Sequence, residues 1–332
     1  MFLDKTDLCV MEELCENSRT LLKNIAGKSG VSIQTVSSRM RRLESALGLR
    51  YALELDLEAL GLRSEHVVRV KLKPEAQPDD AALAELLSSP FVQLACKTKG
   101  DFDMFFWVVT PSMQFFSSEV EPKLREALGD VVEDWAAYPL VSHLAGFLPV
   151  GPELADQFRE QKPRAKTIRL MVGNARISVT DLAEQLGVTE PTAEYHLKKA
   201  RPFVRRFTAF FTGRGEFTHV IRFLQLRGKK QDLESEGRRI TEVYLNSDPR
   251  LFNRLAFAAK PSGGMDALLI ETNSSLEDSS SATEELLSGT KIVGKHVSAV
   301  VSSVQKGAIP IRKVGLAKTC QSVVFPQRPA AE

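Results

Sequence analysis

Six side chains within a nine-residue stretch carry the most readable chemistry in this 332-residue chain: Gln34, Thr35, Ser37, Ser38, Arg41 and Arg42. A glutamine can pair through two hydrogen bonds with adenine, serine and threonine serve several base edges, and arginine reads guanine or grips phosphate. No acidic residue occurs between Gly30 and Leu43, so nothing there repels a phosphate backbone. Arg19, Lys23 and Lys28 lie nearby as further phosphate contacts. The expected partner is double-stranded DNA.

Such chemistry needs a helix that turns these side chains outward together. Val36, Met40 and Leu43 fall at i, i+4 and i+7 and make a buried stripe. At 100° per residue, Gln34, Ser38, Arg41 and Arg42 then point away from it, with Thr35 and Ser37 at its margins. Ser32 is placed to cap that helix. Gly30 supplies the left-handed residue that ends a preceding helix over about 21–28. Leu8, Met11 and Leu14 give a first helix its apolar face. Helix, glycine turn, capped helix is a helix-turn-helix.

The segment recurs at a constant offset of 157. Asn17, Arg19, Ala26, Gly30, Val31 and Thr35 match Asn174, Arg176, Ala183, Gly187, Val188 and Thr192. In the second copy the outward positions are Pro191, Tyr195, Lys198 and Lys199, accompanied by Glu190 and Glu194. Lys198 and Lys199 are candidate DNA contacts there, with a structural role for that copy the even alternative.

Each copy is followed by strands rich in Val, Phe and Leu alternating with helices. The first half reads as strand 66–72, helix 79–88, strands 91–98 and 102–110, helix 112–128 and strand 131–138. The second reads as strand 217–226, helix 233–246, strands 251–258 and 267–271, helix 276–287 and strand 291–301. The expected class is therefore α+β: winged-type helix-turn-helix domains alternating with βαββαβ, ferredoxin-like domains, the pair duplicated. Expected boundaries are 1–50 and 163–206 for the helix-turn-helix domains, and 51–146 and 207–320 for the βαββαβ domains. Residues 146–166, with three prolines, form the link between repeats, and the chain is expected to fray after Cys320.

Composition narrows the function. A 43% hydrophobic and 26% charged chain with net charge +2 is that of a water-soluble globular protein, and any DNA affinity must come from local charge. No apolar run approaches membrane-spanning length, and no secretory leader is evident, so a cytoplasmic location is expected. Cys9, Cys15, Cys96 and Cys320 lack metal-site spacing. P-loop, G-x-S-x-G, H-E-x-x-H and dinucleotide-binding patterns are absent, so no catalytic residue, metal or cofactor is expected.

Residues 3–49 resemble the amino-terminal helix-turn-helix of the Lrp/AsnC (feast/famine) transcription regulators, and the following βαββαβ run resembles that family's sensor domain. Gly100-Asp101-Phe102-Asp103 is similar to the family's Gly-Asp turn. Gly263-Gly264-Met265-Asp266 stands at the equivalent place in the second repeat without the first Asp. The resemblance implies dimers through the sensor sheets, further homo-oligomers, and a small-molecule effector, commonly an amino acid, near these turns. The implied effector residues are Gly100, Asp101, Asp103, Gly264 and Asp266, with Asp103 and Asp266 receiving an ammonium group; a plain hairpin turn is the alternative. Duplication allows the two sensors to pair within one chain or between chains. Siroheme decarboxylases share the double architecture and supply the rival reading, for which His66, His143, His219 and His296 are the candidate histidines.

Overall fold

A computed structural model describes residues 4–158, 162–212, 218–226, 255–273 and 293–311. The expected helices 233–246 and 276–287, the segment 251–254 and the tail after Cys320 lie outside the described residues.

The first head contains α1 (Lys5–Glu16), α2 (Leu22–Ser29) and α3 (Ile33–Leu47). The Asp4 carboxylate accepts from the Asp7 N–H while Asp7 accepts from that of Asp4, a reciprocal cap on α1. Gly30 closes α2 at φ +69°, and the Ser32 hydroxyl accepts the Thr35 N–H at 3.1 Å to start α3. Leu14, Ile25, Val36 and Leu43 are fully buried where the helices meet. The second head repeats the plan in α7 (Lys162–Gly173), α8 (Val179–Leu186) and α9 (Glu190–Ala200), around Ile168, Met171, Leu182 and Ala193.

Each head leads into a strand, β1 (Leu49–Leu55) and β6 (Val204–Phe211). These pair antiparallel from Leu49↔Phe211 to Leu55↔Val204, a ribbon joining the repeats. Two arginines fasten the heads across it. Arg19 donates to the Ala175 carbonyl at 2.8 Å and the Ile177 carbonyl at 3.2 Å, with its guanidinium 4.8 Å from the Phe207 ring centre. Arg176 donates to the Ser18 carbonyl and lies 5.4 Å from the Tyr51 ring centre. The two sets of contacts are mirror halves of one arrangement.

Beyond the ribbon, eight described strands close a barrel. The first repeat gives β2 (Ser64–Leu72), β3 (Val92–Gly100), β4 (Met104–Thr110) and β5 (Val132–Gly146); the second gives β7 (Thr218–Leu226), β8 (Leu255–Pro261), β9 (Ala267–Asn273) and β10 (Val293–Lys306). Their order is β10-β3-β4-β2-β5-β8-β9-β7. On the outside of the first half, α4 (Asp80–Ser88) and α6 (Glu121–Leu128) cover Val68, Val70, Phe106 and Val108. Inside the barrel, Val67, Phe105, Trp107, Phe223, Phe257 and Ile270 pack together. Every residue of β4, MFFWVVT, is buried, as expected of a strand covered on both faces.

The repeats exchange strand ends. β5 pairs with β2 up to Pro139 and with β8 from Leu140 to Gly146. β10 pairs with β7 up to Val300 and with β3 from Ala299 to Lys306. These strands outrun the expected 131–138 and 291–301 because their ends cover β8 and β3, which would otherwise be open sheet edges. The approach is close at Gly146, where φ is +74° and a Cβ would lie 2.1 Å from the Ala256 carbonyl oxygen. In this chain the two repeats close one barrel through these shared strand ends. Among the described residues, no helix is long and apolar enough to cross a membrane.

Candidate nucleic-acid interface and ligand cavity

Helix α3 presents Gln34, Ser38 and Arg41 to solvent, while Thr35, Ser37 and Arg42 are half-buried. The Thr35 hydroxyl shares a 2.9 Å hydrogen bond with Ser32, and an Arg41 N–H donates to the Ser37 hydroxyl at 3.3 Å. Arg41 therefore stays near the outward face, and the first acidic side chain on α3 is Glu44, which accepts the Tyr51 hydroxyl at 2.6 Å.

Arg42 is placed differently from the sequence expectation. Its guanidinium forms an ion pair with Asp7, whose carboxylate is fully buried, and Arg39 reaches Asp7 at 3.3 Å and Asp4 at 2.7 Å. A buried carboxylate requires such partners, so Arg42 ties α3 to α1 rather than standing free for phosphate. The helical wheel gives the direction of Arg42 but not the acid one helix away. Arg19 is likewise committed to the second head rather than to DNA.

On α9, Lys198 and Lys199 are both exposed. Lys198 pairs with Glu194 at 3.1 Å, and the Lys199 ammonium lies 5.6 Å from the Tyr195 ring centre. Glu190, also exposed, accepts from Thr180 at 2.8 Å. The two heads thus present unlike surfaces: polar and cationic on α3, mixed in charge with an aromatic on α9.

The Gly-Asp turns are not brought together. Gly100 and Asp101 lie on the β3–β10 seam. The Asp101 N–H donates to the Ser298 carbonyl at 3.0 Å, and the Asp101 carboxylate accepts the Ser298 N–H at 2.7 Å. Asp103 accepts the Leu72 N–H at 2.9 Å and pairs with Lys71 at 3.2 Å. The Lys71 ammonium thus stands beside the carboxylate to which the resemblance assigned a ligand's ammonium. Gly264 and the buried Asp266 follow β8, by the opposite seam, where the Ser262 N–H donates to the Pro139 carbonyl at 2.9 Å. Three strands separate β3 from β8 in the barrel.

A cavity of about 330 Å³ opens instead between the ribbon and the barrel. The ribbon contributes Leu53, Glu54 and Arg205, and the connection from β1 to β2 contributes Leu62 and Arg63. On the barrel side, Glu65 accepts the Trp107 indole N–H at 3.0 Å and pairs with the His143 Nε2 at 3.0 Å. Burial works against charge on His143, but the Glu65 carboxylate outweighs it and holds the imidazole above its ordinary value. Of these residues only His143 was singled out from sequence. The others are scattered over four segments, and no spacing connects them. His66 faces the opposite side of β2, stacked on Phe116 at 3.7 Å, and burial pushes it down to about 4.

A family described as winged helix-turn-helix DNA-binding matches residues 3–46 and again 165–201. Over 81 residues the chain is 40% identical to the HTH-type transcriptional regulator LrpA of Mycobacterium tuberculosis, covering 24% of this chain and 53% of that one. Over 74 residues it is 36% identical to the HTH-type transcriptional regulator LrpC of Bacillus subtilis, covering 22% and 51%. The chain spans about half the length of these curated relatives. In fold, the siroheme decarboxylase NirDL matches 94% of this chain and 95% of its own at a TM-score of 0.56, with 12% identity. That likeness is one of fold. A second crystal structure of the decarboxylase holds an iron-uroporphyrin III analogue.

Proposed function

Taking the chain as a tandem-duplicated relative of the Lrp/AsnC regulators, we propose that it is a DNA-binding transcription regulator whose two heads play unequal parts. The first head reads base edges through Gln34, Ser38 and Arg41. The second contributes backbone contacts through Lys198 and Lys199. The observation that carries this reading is the outward face of α3, polar, cationic and free of acidic side chains before Glu44. Unequal heads fixed in one chain favour an asymmetric target over a palindrome. A small molecule acting through the barrel modulates binding.

Fluorescence anisotropy against genomic fragments recovered by immunoprecipitation tests the proposal. Gln34→Ala is expected to relax preference at one base position by about 1–3 kcal/mol while random DNA is bound as before. A parent protein that binds no recovered fragment more tightly than random DNA overturns it.

The rival reading, a tetrapyrrole enzyme, draws on the whole-chain likeness to the decarboxylase and on His143 at the cavity. A Soret-absorbing complex with iron uroporphyrin and no affinity for DNA would reverse the order.

A further inference from the structure

We propose that Ile33 is a specificity residue of the first head, and that the group it meets is the C5-methyl of a thymine in the major groove. This deepens the regulatory reading above and rests on it.

A single exposed apolar side chain is ordinary on a protein surface, so exposure alone assigns nothing. Position does. Ile33 is the first residue of α3 and is 50% exposed, whereas Val36, Met40, Leu43 and Leu47 on the same helix are buried against the rest of the head. Ile33 therefore contributes little to the packing that orients α3. In a helix-turn-helix, the amino-terminal residues of the second helix are those that contact base edges. The cap holds this turn in place: Ser32 accepts the Thr35 N–H at 3.1 Å, and the two hydroxyls share a hydrogen bond of 2.9 Å. Branching at Cβ leaves Ile33 one strongly preferred rotamer on such a helix, so it meets a ligand in a set direction.

Its neighbours define what it adds. Ile33, Ser37 and Arg41 follow at four-residue steps and form one ridge of the outward face; Gln34 and Ser38 form the next. An Arg41 N–H donates to the Ser37 hydroxyl at 3.3 Å, tying the cationic end of the first ridge to its centre. At 1.5 Å per residue the ridge is about 12 Å long, with Ile33 at the end opposite Arg41. Every other side chain of the two ridges can hydrogen-bond to a base or a phosphate. Ile33 cannot. Of the unmodified bases, only thymine turns an apolar group toward the major groove. Any other edge set against Ile33 would lose its water without gaining a partner, so the residue selects by penalty as well as by contact.

The second head lacks this device. The matching position, 157 residues on, is Glu190, whose carboxylate accepts from Thr180 at 2.8 Å. Methyl reading therefore belongs to one head, in keeping with an asymmetric target.

The test starts from the genomic fragment that the full chain binds most tightly. Each thymine in turn is replaced by deoxyuridine, which removes the methyl and keeps every hydrogen-bonding edge. Anisotropy is expected to show at least one position where uracil weakens binding about fourfold, the worth of one buried methyl group. In I33A that ratio should fall to about one, and in I33V it should lie between. In L21A, which removes a similarly exposed leucine at the start of α2, the ratio should persist. The ratio is taken within one protein, so a general loss of affinity or stability cancels. A fragment in which no uracil weakens binding by more than about twofold overturns the inference. So does a ratio that I33A leaves intact or that L21A removes. Replacing each cytosine by 5-methylcytosine separates the other source of the same methyl: tighter binding there, with no thymine effect, overturns the assignment to thymine. All of these reversals leave the regulator standing. A chain with no preferred fragment sinks both readings.

Discussion

Arg41 and Arg42 are neighbours of the same type on one helix, yet their surroundings give them different work. Arg42 neutralises Asp7, a carboxylate with no exposed surface, whereas Arg41 donates to the Ser37 hydroxyl and has no ion-pair partner among the described residues. Arg42→Ala should therefore lower the unfolding free energy by about 1.5–3 kcal/mol, because a buried acid loses a charged partner. Arg41→Ala should leave the melting temperature within a degree or so and weaken DNA binding with a shallower salt dependence. Urea unfolding beside anisotropy distinguishes them, and equal stability losses would mean that Arg41 too is structural. The buried histidines make a separate statement. Burial holds His66 and His219 neutral, each pushed down to about 4. The unfolded chain takes up their protons near 6.5, so the stability they contribute is complete above that pH and declines as pH falls toward 4. The decline is on the order of 3 kcal/mol per histidine. Replacing His66 with Leu should flatten the slope between pH 6.5 and 4, and an unchanged slope would contradict its neutral, buried state.

Among the elements, the ribbon and its arginines decide how the heads face. Arg19 and Arg176 each leave their own head to hydrogen-bond the other's backbone and cover an aromatic ring there. Arg19→Ala is expected to cost about 1–3 kcal/mol and to lower the melting temperature. A phosphate contact alone would instead change the salt slope of DNA binding at constant melting temperature. The cap at Ser32, the stop at Gly30 and the outward set on α3 were legible in sequence because each depends on residues a few positions apart. The ribbon was missed although Leu49, Tyr51, Leu53 and Leu55 alternate with Arg50, Ala52 and Glu54 in strand fashion. Its neighbours α3 and β2 carried stronger patterns, and its paired residues lie 149 to 162 positions away. Distance also hid the Arg42–Asp7 pair, the Arg19 clamp and the cavity. Periodicity reports the direction in which a side chain points, while these groups are defined by what another segment brings to meet them. The Gly-Asp turns show the converse: their local motif was readable, but the contacts of Asp101 with β10 and of Asp103 with Lys71 were not.

At the scale of the whole molecule, duplication converts what would be an interface between two chains into internal packing. β5 and β10 each run past their own sheet to cover the other repeat's edge, and the barrel has no open strand among those described. A fragment ending at residue 158 keeps its own four-stranded sheet but loses the partners of β3 and of the second half of β5. It exposes apolar barrel-lining residues such as Phe105 and Trp107, and it leaves β1 without β6 as well as two unpaired barrel edges. The favourable escape is a second copy of the fragment placed where the second repeat lies, since the two halves share one topology and the seams are pseudo-symmetric. The fragment is therefore expected to form a homodimer, with a melting temperature that rises with concentration. Light scattering after size exclusion reads the mass, and a scan over about a hundredfold range of concentration reads the linkage. Such a dimer would carry two copies of α3 in place of one α3 and one α9, so it should also favour a palindromic site over the asymmetric one proposed for the parent. A fragment that stays monomeric and folded would show that the strand exchange contributes little to closing the first half, and the account of the seams as the join between repeats would fall.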